Sequence, residues 1–304
     1  MNSFPPDNVP VPREGQADGF GPARPPVNGS AETSPEVAPH LEADARSVPG
    51  YMRVDSRTPF RWADLVYLAI FYIVTGGIIF FIVGTGAFIF FGVSSSELKD
   101  STGASAAVII ITQALLSGAM LVFLYVLVRG RSAAPFWQTL GWRGFRNMAS
   151  RASVVLRYVL GGFALAVAAG WLGSFVGRES GIPMEKLFGS TRSVLMLMAL
   201  GIFVAPLVEE TIFRGCVFPV IARKFGVTAG IIATGALFGL AHAQQLGFAW
   251  GPIALIVGVG IVLTYVRARA GTVAASYFVH LGYNGALFLS FLIGTGGLRH
   301  LPGA

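Results

Sequence analysis

The run VLMLMALGIFVAPLVEETIFRGCVFPVIA, residues 194–222, is apolar along almost its whole length and is long enough to cross a membrane as a helix. Near its middle lie two adjacent glutamates, Glu209 and Glu210, which are the only acidic residues from position 187 to the C-terminus. A charge at the centre of a bilayer costs at least about 2.5–3.5 kcal/mol, so charged residues there usually serve a function and face partners or water. The pair therefore marks a candidate site inside a membrane span.

The composition of the whole chain agrees with a membrane protein. Of the 304 residues, 54% are hydrophobic and 12% are charged, and the mean hydropathy of +0.66 excludes an ordinary soluble domain. The apolar runs cover residues 65–92, 104–128, 153–177, 194–222, 227–243, 251–266 and 272–294. Because roughly 20 helical residues cross the hydrocarbon core, these runs predict an all-α, polytopic transmembrane helical bundle with about seven spans, or eight if one segment is split.

The N-terminal part of the chain differs in composition from the rest. Residues 1–60 hold 11 of the 17 prolines and have almost no periodic apolar pattern, so they cannot bury enough surface to offset the entropy lost on ordering. We expect residues 1–60 to form a disordered, Pro-rich tail that ends in a basic membrane flank. The transmembrane helical domain should then cover 61–304, with a motif-bearing catalytic core at about 190–295.

The positive charges predict how the bundle is oriented. With seven spans and a cytoplasmic N-terminus, 13 Lys and Arg residues flank the inner ends of the spans and 5 flank the outer ends, which is a clear positive-inside bias. The net charge of +7 therefore reflects membrane topology and not nucleic-acid binding. We expect an integral protein of a bacterial cell membrane, with the lipid bilayer as its surroundings, a cytoplasmic N-terminus and no nucleic-acid partner.

Two histidines are embedded in apolar spans and could face the glutamates. His242 lies in ALFGLAHAQQ and His280 in SYFVHLGYN. Charged residues and a glycine at 223–226 indicate a turn at the cytoplasmic surface, and Glu209 and His242 each lie about 14 residues, or roughly 21 Å, from that turn. An antiparallel helical hairpin would therefore bring Glu209 and His242 to the same depth.

The spacing of the remaining polar residues assigns them to helix faces. His280 and Asn284 are four residues apart and share one face. Glu210 and Arg214 are also four residues apart, with the acid before the base, which favours a structural ion pair. Glu209 has no such helical partner, so we expect it to face a cavity, where a carboxylate can act as a general base for water.

Three motifs carry a family resemblance. They are EETIFR at 209–214, FGLAH at 238–242 and HLGYN at 280–284, and they fit the patterns E-E-x-x-x-R, F-x-x-x-H and H-x-x-x-N. In this order on successive spans, over roughly 190–295, the chain resembles the CPBP family of intramembrane proteases, also called the CAAX protease or Abi family. The resemblance implies an intramembrane endopeptidase that hydrolyses a peptide bond of a membrane-associated protein or peptide.

The resemblance also implies a role for each motif residue. Glu209 would activate the water with help from His242, while His280 and Asn284 would stabilise the tetrahedral oxyanion. Three further residues would support the site from behind. They are Glu210, Arg214 and Phe238.

The motif residues are compatible with both metal-dependent and metal-free hydrolysis. Glu209, His242 and His280 are candidate zinc ligands, because one carboxylate and two imidazoles with an open water position make a sufficient zinc set. The same residues work equally well as a metal-free, glutamate-based hydrolase. The sequence lacks H-E-x-x-H, the arrangement in which one helix presents two histidines to one ion, and this slightly favours metal-free chemistry.

Two other classes of function fit part of the pattern. A proton-coupled transporter also uses intramembrane Glu and His residues, but it needs neither Asn284 nor a second glutamate paired with Arg214. A non-catalytic membrane scaffold could bind lipidated or membrane-anchored partners through the same cavity. A loss of cleavage without a loss of folded protein on substitution of Glu209 would separate the protease from both.

Overall fold

The computed structural model describes residues 58–93, 102–142, 152–176 and 190–301. Within these ranges every regular element is a helix, in agreement with the predicted all-α class. The predicted disordered tail lies outside the described residues, apart from its last three positions, 58–60. All the described residues fall within one compact unit, Pro49–Ala304.

Seven main helices follow one another along the described chain. They are α1 (Trp62–Phe91), α2 (Thr102–Arg129), α3 (Ala152–Gly173), α4 (Thr191–Phe225), α5 (Val227–Ala241), α6 (Trp250–Ala270) and α7 (Val273–Gly294). A one-turn helix, Phe136–Thr139, lies between α2 and α3. Six of the seven are long and apolar enough to cross a membrane, and α5 is a shorter apolar helix. The seven apolar runs of the sequence thus correspond to the seven helices.

The outer surface of the bundle is apolar. On α1, for example, Ile73, Phe81 and Phe90 are exposed, and few of its residues are buried against the other helices. Contiguous apolar surface on this scale is unfavourable in water and favourable against lipid tails. The described part of the chain therefore has the outer surface of an integral membrane protein.

Helix α4, which carries the glutamate pair, contains two π-helical segments, Leu200–Val204 and Phe213–Val217. At the end of the first, the N–H of Ala205 donates to the carbonyl of Leu200. The next bond of this pattern would run from residue 206 to Gly201, but Pro206 has no N–H to donate. The carbonyl of Gly201 is therefore left open to a donor from another helix.

Glycines form the two tight turns that position the motif helices. Gly226 separates α4 from α5 with φ 87° and ψ 164°, a conformation that is essentially restricted to glycine. Gly271 ends α6 in the left-handed region, with φ 71° and ψ 8°, just before Thr272 caps the start of α7. The turn expected at 223–226 is thus present, and α4 and α5 form the predicted hairpin.

Helix α7 packs against α3 through glycines at their crossing point. A Cβ atom on Gly282 would collide with the carbonyl oxygen of Val159, and one on Gly162 would collide with that of Val279. The two backbones can approach this closely only because Gly282 and Gly162 have no side chains. The crossing fixes the position of α7, which carries His280 and Asn284.

Replacing Gly282 with alanine is expected to destabilise the protein by about 1–3 kcal/mol, because the added methyl group forces two helix backbones apart. Thermal unfolding in detergent measures the effect. Gly161→Ala is the matched control, since a Cβ atom at Gly161 meets nothing within 4 Å. Equal unfolding temperatures for the two variants would contradict the proposed tight crossing.

Candidate active site

The structure brings Glu209, His242 and His280 together from three helices. His242 is the residue directly after the last turn of α5, and its Nε2 lies 3.9 Å from Oε1 of Glu209. His280 is on α7, and its Nε2 lies 3.7 Å from Oε2 of the same carboxylate. The side chains of Glu209 and His242 are 24% and 22% exposed, whereas that of His280 is 4% exposed. The cluster is therefore reached from the side of Glu209 and His242.

The other nitrogen of each imidazole has its own acceptor. Nδ1 of His242 lies 2.8 Å from the carbonyl oxygen of Phe238, one helical turn earlier. Nδ1 of His280 lies 3.0 Å from Oε1 of Glu210. A carbonyl and an ionised carboxylate can only accept, so each Nδ1 carries the proton and donates it. In the neutral rings both Nε2 lone pairs consequently face Glu209.

Glu210 and Arg214 form a fully buried ion pair behind this cluster. Nη1 of Arg214 donates to Oε1 of Glu210 over 2.8 Å, and both side chains are completely inaccessible to solvent. The guanidinium also donates from Nε to Oγ1 of Thr264, 3.2 Å away, and from Nη2 to the carbonyl of Gly260, 2.9 Å away. The i,i+4 pair expected from the sequence is present, and its charges cancel. Arg214 is therefore committed to Glu210 and is not the ion-pair partner of Glu209.

Phe238 lies at the centre of the motif residues. Its ring packs 4.6 Å from that of His242 and edge-on to that of His280, with the ring centres 5.7 Å apart. The guanidinium carbon of Arg214 stacks 4.5 Å from the ring centre, a cation–π distance. Phe238 is buried, and its ring contacts both imidazoles and the Arg214 guanidinium, which is a physical reason for the aromatic residue of the FGLAH motif.

Asn284 lies one turn after His280 on α7, but its amide is directed to the backbone of α4. Nδ2 donates to the carbonyl of Gly201 over 2.7 Å. This is the carbonyl that Pro206 leaves without its helical donor, so the amide satisfies it across the helix interface. One of the two Nδ2 hydrogens is occupied in this bond, and the second stays available.

Three partners of the motif residues were not singled out by the sequence. On α6, the Gly260 carbonyl and the Thr264 hydroxyl accept hydrogen bonds from the Arg214 guanidinium. Oγ1 of Thr264 itself donates to the Gly260 carbonyl over 2.7 Å. The Gly201 carbonyl accepts a hydrogen bond from Nδ2 of Asn284. Two of the three act through backbone carbonyls, which no side-chain motif can indicate. The one sequence signal for these contacts is Pro206, because a proline inside an apolar helix indicates an irregularity in the helical hydrogen bonds.

The candidate zinc ligands have suitable donor atoms but are not arranged as a metal site. In the part of the chain that the structure describes, no group of three or more His, Cys, Asp or Glu side chains could hold a metal ion. Glu209, His242 and His280 are close neighbours, yet they do not form the ready-made ligand set that a structural or catalytic zinc requires.

Comparison with protein families identifies the segment that carries this geometry. Residues 191–286 match the Rce1-like family. The family is described as type II CAAX prenyl endopeptidase Rce1-like, and the matched segment, about a third of the chain, runs from the start of α4 into α7. The match confirms the resemblance to the CPBP, or CAAX protease, family and supports a membrane-embedded endopeptidase in general. Neither the comparison with curated proteins nor that with solved structures found a match.

Proposed function

We propose that this Rce1-like protein is an intramembrane endopeptidase in which Glu209 activates a water molecule for attack on a peptide bond. The observation that carries the proposal is the convergence of both Nε2 atoms, from His242 and His280, on the Glu209 carboxylate at 3.7–3.9 Å. Two lone pairs and a carboxylate repel one another unless a proton donor lies between them. A water molecule in that position would donate its protons to the Glu209 carboxylate and to an imidazole Nε2. Those hydrogen bonds make its oxygen more nucleophilic.

The first step is the attack of water. Glu209 takes one proton as the O–H bond breaks, and the oxygen forms a bond to the carbonyl carbon of the scissile peptide. His242 is the partner that assists, because its Nε2 faces the same carboxylate and its Nδ1 is fixed by the Phe238 carbonyl. The tetrahedral intermediate then carries negative charge on the former carbonyl oxygen.

The second step returns the proton to the leaving group. As the C–N bond breaks, the proton held by Glu209 moves to the departing amine nitrogen, and the carboxylate is restored. The products are a free carboxyl terminus and a free amine, and the site regains its starting charge. The buried Glu210–Arg214 pair stays neutral as a whole throughout, so it supplies a fixed background and does not compete for the proton.

The negative oxygen of the intermediate needs a donor. The second hydrogen of Asn284 Nδ2 can supply it, since the first is bound to Gly201 and holds the amide plane in place. The family resemblance assigns His280 to the same oxygen, and its Nε2 lies 3.7 Å from the Glu209 carboxylate on the reacting side of the site. An oxyanion donor fixed before the reaction stabilises the transition state by about 2.7–4 kcal/mol.

Asn284→Ala is therefore expected to lower kcat by about 10²–10³, with a smaller change in KM, because the donor acts on the intermediate and not on the bound peptide. Steady-state kinetics on a membrane-anchored peptide measure both constants. The matched control is Tyr277→Phe, which removes a hydroxyl that donates to the neighbouring Phe203 carbonyl over 3.4 Å. If both variants lose the same activity, the carbonyls of the π segment, and not an oxyanion donor, explain the effect.

The substrate we propose is a membrane-associated protein or peptide, with a prenylated C-terminal segment as the first candidate because of the family description. The test uses the purified protein in liposomes with matched anchored peptides, prenylated and unprenylated, and mass spectrometry to locate the cut. Cleavage of either class that survives treatment with a metal chelator supports glutamate-activated water. Loss of cleavage on chelation, with recovery on adding zinc, would replace this mechanism by a metal-dependent one.

We also propose that the N-terminus of the chain is cytoplasmic in a bacterial cell membrane, on the strength of the positive-inside bias. An N-terminal fusion to a reporter that is active only in the cytoplasm is expected to be fully active in a bacterial host. A C-terminal fusion after seven spans is expected to be inactive with the same reporter. The reverse pattern would invert the bundle and contradict this orientation.

A further inference from the structure

A basic cleft opens at the end of the bundle where α1 begins and where α2 and α4 end. It has a volume of about 550 Å³. Its lining residues, here called the arginine cleft, are Thr58, Pro59, Phe60, Arg61, Arg131 and Arg223. It is separate from the candidate active site, since none of the motif residues lines it. Half of its lining residues are arginines, whose guanidinium groups match the geometry of phosphate and carboxylate groups.

Protein groups hold the guanidinium groups of two of the three arginines. Arg223 donates from both terminal nitrogens to the carbonyls of Thr58 and Phe60, at 3.0 and 2.6 Å. Arg131 pairs with the buried carboxylate of Asp64, while its own side chain is 32% exposed. Arg61 is exposed, and its hydrogen bonds with Asp64 are made by its backbone N–H and carbonyl. Three guanidinium groups and one carboxylate leave a net charge of about +2 beside the cleft.

Aromatic residues place the cleft at the level of lipid headgroups. Trp62 follows Arg61 and packs edge-on against Phe225, with the ring centres 5.7 Å apart. The ammonium of Lys224 lies 5.5 Å from the Trp62 ring centre and 5.2 Å from that of Phe225. Trp and Lys side chains in this combination are typical of the membrane–water interface. An anion that reaches the cleft can therefore be part of a lipid.

A second, apolar groove lies further along α1 and α2. It has a volume of about 340 Å³ and is lined by Tyr67, Ile70, Phe71, Val74, Thr75 and Phe123. Phe71 of α1 stacks on Phe123 of α2 with ring centres 4.3 Å apart. Ile70 lies nine residues, or roughly 13 Å, along α1 from Arg61. The order along the two helices is therefore a cationic end followed by an apolar groove, which is the order of groups in a phospholipid.

We propose that the arginine cleft binds the phosphate of an anionic phospholipid, with one acyl chain of that lipid lying in the apolar groove below. Guanidinium groups bind phosphate oxygens in pairs of parallel hydrogen bonds, and basic pockets at helix ends on the positive side of a membrane protein suit anionic headgroups. Exposed Arg61 is the guanidinium best placed to bind the phosphate, since Arg131 and Arg223 already hold protein groups. This site is independent of the proposed peptidase chemistry.

The test measures lipid binding to the purified protein in detergent by native mass spectrometry. Phosphatidylglycerol is expected to bind on the order of tenfold more tightly than phosphatidylcholine with the same acyl chains, and the preference should shrink at high ionic strength. Equal binding of the two lipids would overturn the proposal. Inorganic phosphate that competes as well as phosphatidylglycerol would assign the cleft to a soluble anion and would equally overturn it.

Substitutions locate the effect at the cleft. Arg61→Gln is expected to weaken phosphatidylglycerol binding about fivefold and leave phosphatidylcholine unaffected, whereas Arg61→Lys, which keeps the charge but not the paired hydrogen bonds, should lose less than Arg61→Gln. Arg192→Gln is the matched control, because Arg192 is an exposed arginine in the first turn of α4, at the end opposite Arg223. Equal losses in the Arg61→Gln and Arg192→Gln variants would show only general charge attraction and would reject the site.

Discussion

Replacing Glu209 with glutamine is expected to abolish measurable peptide cleavage while the protein stays folded. Glutamine keeps the size of the side chain but cannot take a proton from water, and loss of a general base lowers the rate by about 10²–10⁴. The fold should tolerate the change, because Glu209 is partly exposed and its carboxylate contacts the two imidazoles only at 3.7 and 3.9 Å. These distances are longer than hydrogen bonds, so little native stabilisation is lost.

Cleavage of a liposome-anchored peptide and thermal unfolding of the same preparation should be measured together. Glu209→Asp is the matched variant, since it retains a carboxylate one methylene further from the site and should keep more activity than Glu209→Gln. Normal cleavage by Glu209→Gln would remove Glu209 as the base. A parallel loss of activity and of folded protein in both variants would instead make the cluster structural, as a scaffold or transporter would require.

Replacing Arg214 with methionine is expected to lower the free energy of unfolding by about 3–5 kcal/mol. The guanidinium is fully buried and neutralises Glu210, so its removal leaves a buried carboxylate without its main partner. Two further hydrogen bonds, to Thr264 and Gly260 on α6, are lost at the same time. The stacking of Arg214 on Phe238 is also lost. The variant should therefore unfold at a much lower temperature, and its activity should fall with the amount of folded protein.

A double variant separates charge from packing. Adding Glu210→Gln to Arg214→Met removes the uncompensated charge and should recover part of the lost stability, because a buried pair is harmed most when only one partner is removed. Arg192→Met, on the exposed first turn of the same helix, should leave the unfolding temperature unchanged. A double variant that is less stable than Arg214→Met would show that packing, and not the charge of Glu210, dominates.

Much of the fold and the hairpin geometry could be predicted from the sequence. The seven apolar runs correspond to the seven helices because hydrophobic length is a local property of the chain. The approach of Glu209 to His242 follows from equal helical distances on either side of Gly226. The Glu210–Arg214 pair follows from the i,i+4 spacing. Each of these needed only the rise of a helix and the position of one turn.

Other contacts could not be predicted in this way. The family resemblance implied an oxyanion role for His280, and the structure adds a contact that no spacing predicts, since Nδ1 of His280 donates to Glu210 while its Nε2 faces Glu209. His280→Ala should consequently reduce stability as well as activity, which the sequence did not indicate. Asn284 likewise reaches Gly201, whose carbonyl is open because a π-helical segment meets Pro206. A π segment changes the rotation of every later residue in α4, and no spacing rule includes it.

Residue order alone was enough to predict membrane-spanning helices, two glutamates and two histidines within their apolar runs, and which of the glutamates has a helical partner. These predictions follow from hydrophobic length and the helical repeat, which depend only on residues close together in sequence. The tertiary structure alone decided which nitrogen of each imidazole faces Glu209, and that Arg214 is held by α6. Those contacts depend on the rotation and crossing of helices far apart in sequence, which is set by backbone approaches such as that of Gly282 to α3.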